Sequence, residues 1–216
     1  MVMTSFLDIK KSKEFLNHAL TNLGSNFIEQ EVVLKLPLFA IDLKNKLDLV
    51  KIIEDLKTHS ELYPTDFNKV KTAVKVQEGY RSSYKLHKEV DTFGHVIETI
   101  LSHVENLQST TESFVKNKTY YFSDFWGIIY KKSDYTTWHY HGCQSLLNDL
   151  VYNVVLYLND NKNPLVIKQY NSDPIKIYPQ EGLCIFMSPF LWHMVEENDN
   201  NERFVLAGNL VYDRDQ

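Results

Sequence analysis

The sequence predicts an α+β fold in which helices come first and an all-β half follows. Three observations carry this. Apolar residues recur at helical spacing over 43–62 and 88–115. From residue 119 onward the pattern changes to short aromatic and β-branched runs separated by turn residues, which suits a sandwich or barrel. No stretch rich in Gly, Ser or Pro divides the two halves. The expectation is therefore a single domain over 1–216, with 1–118 a mainly helical support region packed on one face of a β core at 119–216.

The elements are justified in order. Over 10–23, Phe15, Leu16, Leu20 and Leu23 share a helical face, and Gly24 follows as a stop. Residues 31–40 are apolar and β-branched around Pro37, which cannot donate to a ladder, so an edge strand is expected. The helix of 43–62 uses Leu47, Leu49, Val50, Ile52, Ile53 and Leu56, and breaks at Tyr63 and Pro64. Residues 70–77 alternate weakly as a strand, and 79–83 reads as a loop. The helix of 88–115 aligns Phe93, Val96, Ile97, Ile100, Leu101, Val104 and Leu107. Strands are then expected at 119–130, 151–158, 165–170, 175–178, 183–187 and 204–212.

Composition narrows the function. The apolar fraction of 44% and charged fraction of 24% are those of an ordinary globular protein. The net charge is -5 with both signs interspersed, so a nucleic-acid partner has no electrostatic footprint. A small anion can still bind at a local cation. Cys143 and Cys184 have no framework spacing and read as free thiols in a reducing compartment. The first ten residues carry charge and no apolar h-region, and no run reaches the ~18 apolar residues of a membrane span. The expectation is a cytoplasmic protein with no membrane partner.

The chemistry concentrates in WGIIYKKSDYTTWHYH, residues 126–141. It reads as a strand, a polar turn and two histidines. Residues at i and i+2 of a strand share a face, so His139 and His141 project together with Tyr140 opposite. A chain with eight histidines in 216 residues yields about 0.3 such pairs by chance, so context decides. The context is a turn at Pro179 to Gly182, the strand LCIFM, and a second turn that delivers His193 to the same rim. Arg203 opens the final strand ten residues later. Three imidazoles beside a guanidinium form a metal site next to an anion site. Neutral imidazole suits Fe, Zn or Cu, and Arg pairs bidentately with a carboxylate.

The stretches WGIIYKKSDYTTWHYH, VVLYLND, YPQEGLCIFMSPFLWHMVEEN and ERFVLAGNL, with LPLFAIDLKNK and GYRSSYKLH in the first half, resemble the Fe(II)/2-oxoglutarate-dependent oxygenases. The likeness is to the prolyl-hydroxylase-like branch and its small bacterial and phage members. The resemblance implies a double-stranded β-helix (jelly-roll, cupin-like) core and a dioxygenase that hydroxylates its substrate. It implies Fe(II) held by His139 and His193, with Arg203 on the distal carboxylate of 2-oxoglutarate. Position 141 is usually Asp or Glu in that family and here is His, which makes the metal set His139, His141 and His193. Tyr130 matches a tyrosine that hydrogen-bonds the co-substrate carboxylate. Asn153 and Asn209 fall on strands near the cavity, and Asn153 is a further candidate co-substrate contact.

Other departures are Ile128 and Ser133 in place of Asn and Gly, Phe186 and Ser188 standing one residue early, and Val205 in place of a small hydroxyl residue. Trp126, Tyr135, Trp138, Tyr140 and Trp192 are candidates for cavity wall or core. Two further readings stay open: a three-histidine cupin-type dioxygenase that does not use 2-oxoglutarate, and a non-catalytic β-barrel binding module. The expected substrate is a small molecule or a peptide, and a homodimer is allowed.

Overall fold

The structure is a computed structural model that describes residues 3–10, 33–66, 73–110, 114–142, 150–168, 173–199 and 201–213. Strands β1 (Met3–Lys10) and β2 (Val33–Asp42) are followed by helix α1 (Leu49–Leu62) and the short strands β3 (Val74–Lys75) and β4 (Tyr80–Arg81). Helices α2 (Leu86–Glu89) and α3 (Asp91–Thr110) come next. The β half contains β5 (Tyr120–Tyr130), β6 (Tyr135–His139), β7 (Leu150–Tyr157), β8 (Leu165–Lys168), β9 (Ile175–Ile177), β10 (Leu183–Met187), β11 (Trp192–Val195) and β12 (Arg203–Tyr212). They form a seven-stranded sheet, β1-β2-β10-β7-β12-β5-β4, and a five-stranded sheet, β3-β6-β11-β8-β9. All the pairings between these described strands are antiparallel. This is the expected α+β double-stranded β-helix, with helices on one face.

Period-2 alternation builds both layers from the same strands. On β12, Phe204, Leu206 and Leu210 join the cluster under the helices, while Val205 and Ala207 join the cluster between the sheets. On β5, Phe125 and Ile129 face the helices, and Trp126, Ile128 and Tyr130 face inward. The helices supply Leu49, Ile52 and Leu56 from α1 and Phe93, Val96, Ile100, Val104 and Leu107 from α3. Each such buried side chain contributes about 1.5–3 kcal/mol of transfer free energy as an upper bound. Gly127 lets α1 sit this close: a Cβ there would stand 2.5 Å from Leu56 Cδ1.

Helix α1 starts at an Asp48 cap, whose Oδ1 accepts from Lys51 N–H at 3.1 Å, and it ends at Tyr63 ahead of Pro64. Val50, read as part of the apolar stripe, is instead 66% exposed. The expected helix of 88–115 is two helices. Val90 between them is extended (φ -143°, ψ 125°), and its N–H still donates to Leu86 O. Phe114 lies beyond α3, packed edge-on against Phe39 and Tyr120. Among the described residues, the first 118 positions hold four strands as well as helices.

Strand β2 is not an edge, because β1 pairs along one side and β10 along the other. Pro37 is tolerated for a geometric reason. In an antiparallel strand a residue's N–H and C=O point to the same neighbour. The Pro37 carbonyl accepts from Ser188 N–H at 2.9 Å, so its missing donor also faces that side, just past the last β10 pair at Met187 and Leu38. Gly182 turns the chain into β10 at φ 81°, where a Cβ would strike the Lys44 backbone. Residues 11–23 of the expected helix, residues 70–72 of the expected strand and Cys143 lie outside the described residues; Lys10 ends β1. Cys184 is a buried free thiol. Among the described residues no helix is long and apolar enough to cross a membrane.

Candidate metal centre

The smaller sheet carries the histidines. His139 is the last residue of β6, and it pairs in register with His193 on β11. The turn expected to deliver His193 to the rim leads into a four-residue strand, too short to show alternation. His141 lies just past β6, held where its backbone N–H donates to Pro189 O at 2.9 Å. The three ring centroids are 4.1, 5.2 and 5.5 Å apart, and one nitrogen from each ring lies within 4.8 Å of the others.

The turn before β6 is stapled by Asp134. This buried carboxylate accepts from Lys131 N–H at 2.8 Å and from Gln77 N–H in the loop between β3 and β4. Ser133 in that turn has φ 66°, which is the physical reason a glycine serves well there.

Each imidazole uses Nδ1 for support. His139 donates to Thr137 O at 2.9 Å, His193 to Leu191 O at 3.0 Å, and His141 to Asn209 Oδ1 at 3.2 Å. That leaves the three Nε2 atoms as the donors for a metal. Burial is the main cause holding all three rings below the ordinary histidine pKa. His141 is lowered to about 4, with His139 next to it as the second cause and Asn209 opposing. At neutral pH the rings are uncharged, the form that binds metal.

The cavity in front of the histidines has about 500 Å³ of empty space, solvent at its mouth included. Its walls between the sheets include Trp126, Val155, Leu165, Met187, Val195 and Val205, and Arg203, Asn153, Tyr130 and Thr136 also reach it. Arg203 is 1% exposed, and no carboxylate among the described residues pairs with it. Its Nη1 donates to Asn163 O at 2.9 Å, its Nε has no partner, and its guanidinium lies 5.2 and 5.4 Å from the Tyr157 and Tyr130 ring centres. Both amide atoms of buried Asn153 are without a partner among the described residues, and the Tyr157 hydroxyl is buried beside the Arg203 guanidinium. Burial pushes that hydroxyl up to about 12, against the charge of Arg203. Tyr130 shares a 2.6 Å hydrogen bond with Thr136.

Buried polar groups without partners are costly. Here Arg203 and Asn153 line one cavity with the three neutral imidazoles, a donor set that fits a divalent metal together with an anionic chelator. The residues predicted from sequence, His139, His141, His193, Arg203, Tyr130 and Asn153, thus line one cavity. Thr136 and Tyr157 were missed, since nothing local marks them. Asn209 was noted for its place and not for its bond to His141. Trp126 is cavity wall, whereas Trp138, Tyr140 and Trp192 are about 40% exposed and are not core.

No protein-family model matches the chain, and no curated protein matches it. Solved structures do. A prolyl-4-hydroxylase of Pseudomonas putida superposes with a TM-score of 0.57 at 14% identity, over 81% of this chain and 91% of that one. A prolyl hydroxylase of Trichoplax adhaerens, in complex with a hypoxia-inducible-factor oxygen degradation domain peptide fragment, gives 0.60 at 12% identity over 81% and 82%. HygX of Streptomyces hygroscopicus, with nickel, 2-oxoglutarate and hygromycin B bound, gives 0.55 at 13% over 81% and 82%. The chain shares the fold of these proteins.

Proposed function

We propose that the chain is a non-haem Fe(II)- and 2-oxoglutarate-dependent oxygenase that hydroxylates a small molecule or a peptide. The observation that carries this is Arg203: a buried guanidinium with no acidic partner, in the cavity that holds three neutral histidines. A cation in that position is balanced by an anionic ligand. When bound, iron with 2-oxoglutarate and dioxygen supplies the oxidising power to turn C–H into C–OH.

The chain's own residues do the rest. His139, His141 and His193 would hold the metal through Nε2. Arg203 would take the distal carboxylate of 2-oxoglutarate, with Tyr130 and Asn153 beside it. The aliphatic walls Val155, Leu165, Met187, Val195 and Val205 keep water from the reacting centre. One similar structure carries a peptide fragment and another hygromycin B, which supports keeping both a peptide and a small molecule in the reading.

The test is anaerobic addition of 2-oxoglutarate to the Fe(II)-loaded protein. A metal-to-ligand charge-transfer band is expected. Iron binding without that band defeats the reading and favours the second one, a three-histidine dioxygenase that does not use 2-oxoglutarate. His141, in place of the usual carboxylate, is the observation that favours this alternative.

A further inference from the structure

The three histidines are not held alike. His139 and His193 each donate Nδ1–H to the carbonyl two residues back on their own chain segment. His141 instead reaches across to the other sheet, to Asn209 on β12, 68 residues away in sequence. Asn209 then donates its Nδ2–H to Asp124 Oδ2 at 3.2 Å. Asn209 and Asp124 are cross-strand partners beside a bulge: the next pair is Leu210 with Phe122, which skips Ser123. A bulge re-aims side chains and recurs next to functional sites. Asp124 is fixed in turn by Ser123 Oγ–H at 3.1 Å and Lys85 Nζ at 3.4 Å.

Hydrogen-bond chemistry gives this row a direction. An ionised carboxylate only accepts, so the Asn209 amide must turn its NH₂ toward Asp124. Its oxygen then faces His141 and accepts only from a protonated Nδ1. The carboxylate at the far end thereby sets the tautomer of the imidazole at the near end. We propose that Asn209 is a positioning residue of the metal site: linked to Asp124, it fixes His141 as the Nδ1–H tautomer with Nε2 toward the metal. The row also brings negative charge close to a ligand set that a histidine at 141 has left neutral. This rests on the metal site proposed above.

Co(II) titration of the full-length protein, read by its visible d–d spectrum, tests the idea without turnover. Outer partners of ligating histidines typically change metal affinity 10- to 100-fold. Asn209→Ala is expected to weaken Co(II) binding by about that factor and to alter the spectrum. Nitrogen NMR of the metal-free variant is expected to lose the fixed Nδ1–H signature of His141 while His139 and His193 keep theirs, which also reports that the variant is folded. The exchange Asn209→Asp with Asp124→Asn keeps an acceptor on His141 and a donor–acceptor pair behind it, and is expected to restore affinity to within a few-fold.

Wild-type affinity, an unchanged spectrum and an unchanged His141 tautomer in Asn209→Ala overturn the proposal. If that variant does not fold, Asp124→Ala decides: several-fold weaker binding supports the relay, and unchanged binding overturns it. A wild-type protein that takes up no Co(II) overturns the metal site itself, a result separate from either variant outcome.

Discussion

The two faces of the large sheet are built from alternate residues of the same strands, yet they obey different rules. On β12, Leu206 and Leu210 close a dry apolar layer against the helices, while Arg203 and Asn209 on the other face stand among polar groups with partners missing or far away. On β7, Tyr152, Val154 and Leu156 pack, and the side-chain amide of Asn153 between them has no partner among the described residues. The helix face is optimised for folding. The inner face gives up folding free energy to keep a guanidinium and an amide buried opposite the three imidazoles of the smaller sheet, the usual relation between stability and a site.

Substitutions on each face should therefore separate the two functions. Leu206→Ala, fully buried under the helices, is expected to cost about 2–5 kcal/mol of unfolding free energy by denaturant titration. A loss below about 1 kcal/mol would mean the layer can collapse around the gap. Arg203→Met should do the opposite: the unfolding midpoint stays or rises, because an unpaired buried charge is removed. Binding of 2-oxoglutarate by calorimetry should weaken by about 2–5 kcal/mol with iron affinity little changed. Equal loss of iron and co-substrate would make Arg203 a structural residue after all.

The third contrast is in pH. His139, His141 and His193 have folded pKa values below the ordinary 6.5, with His141 lowered to about 4. Between those values the unfolded chain binds more protons than the folded one, so the metal-free protein should lose stability as pH falls from 6.5 toward 4 and show no such trend above 7. Denaturation midpoints at pH 7 and 5 check this, and higher stability at pH 5 would contradict it. The smallest expected effect touches neither face. Ser133→Gly relieves a left-handed residue in the turn before β6 and should stabilise by about 1 kcal/mol, measurable as a raised melting temperature.

Much of this was legible because it is local. The alternation along 204–212 and 151–158, the His139–His141 spacing, and the turn-strand-turn run into His193 all sit within a few residues of the feature they specify. What escaped is non-local or works by cancellation. Pro37 signals an edge, and nothing near it says that β10 ends opposite it. Val90 breaks a helix without a Gly or Pro to announce it. Strand β11 is hidden by its length. The roles of Thr136, Tyr157 and Asn209 exist only once distant strands pair, for an asparagine on a strand reads the same whether it faces solvent or orients a ligand.

One feature of the topology bears on how the chain is made. Strand β12 comes from the far end of this sequence, yet it sits between β7 and β5. It pairs Arg203 with Tyr130 and Tyr212 with Tyr120. Until it arrives, β7 and β5 each present an open edge, the template for pairing with another chain. Both edges stay open while the residues between β7 and β12 are added. Folding should therefore be slow, dominated by long-range closure, and yield should depend on what shields those two strands before β12 emerges.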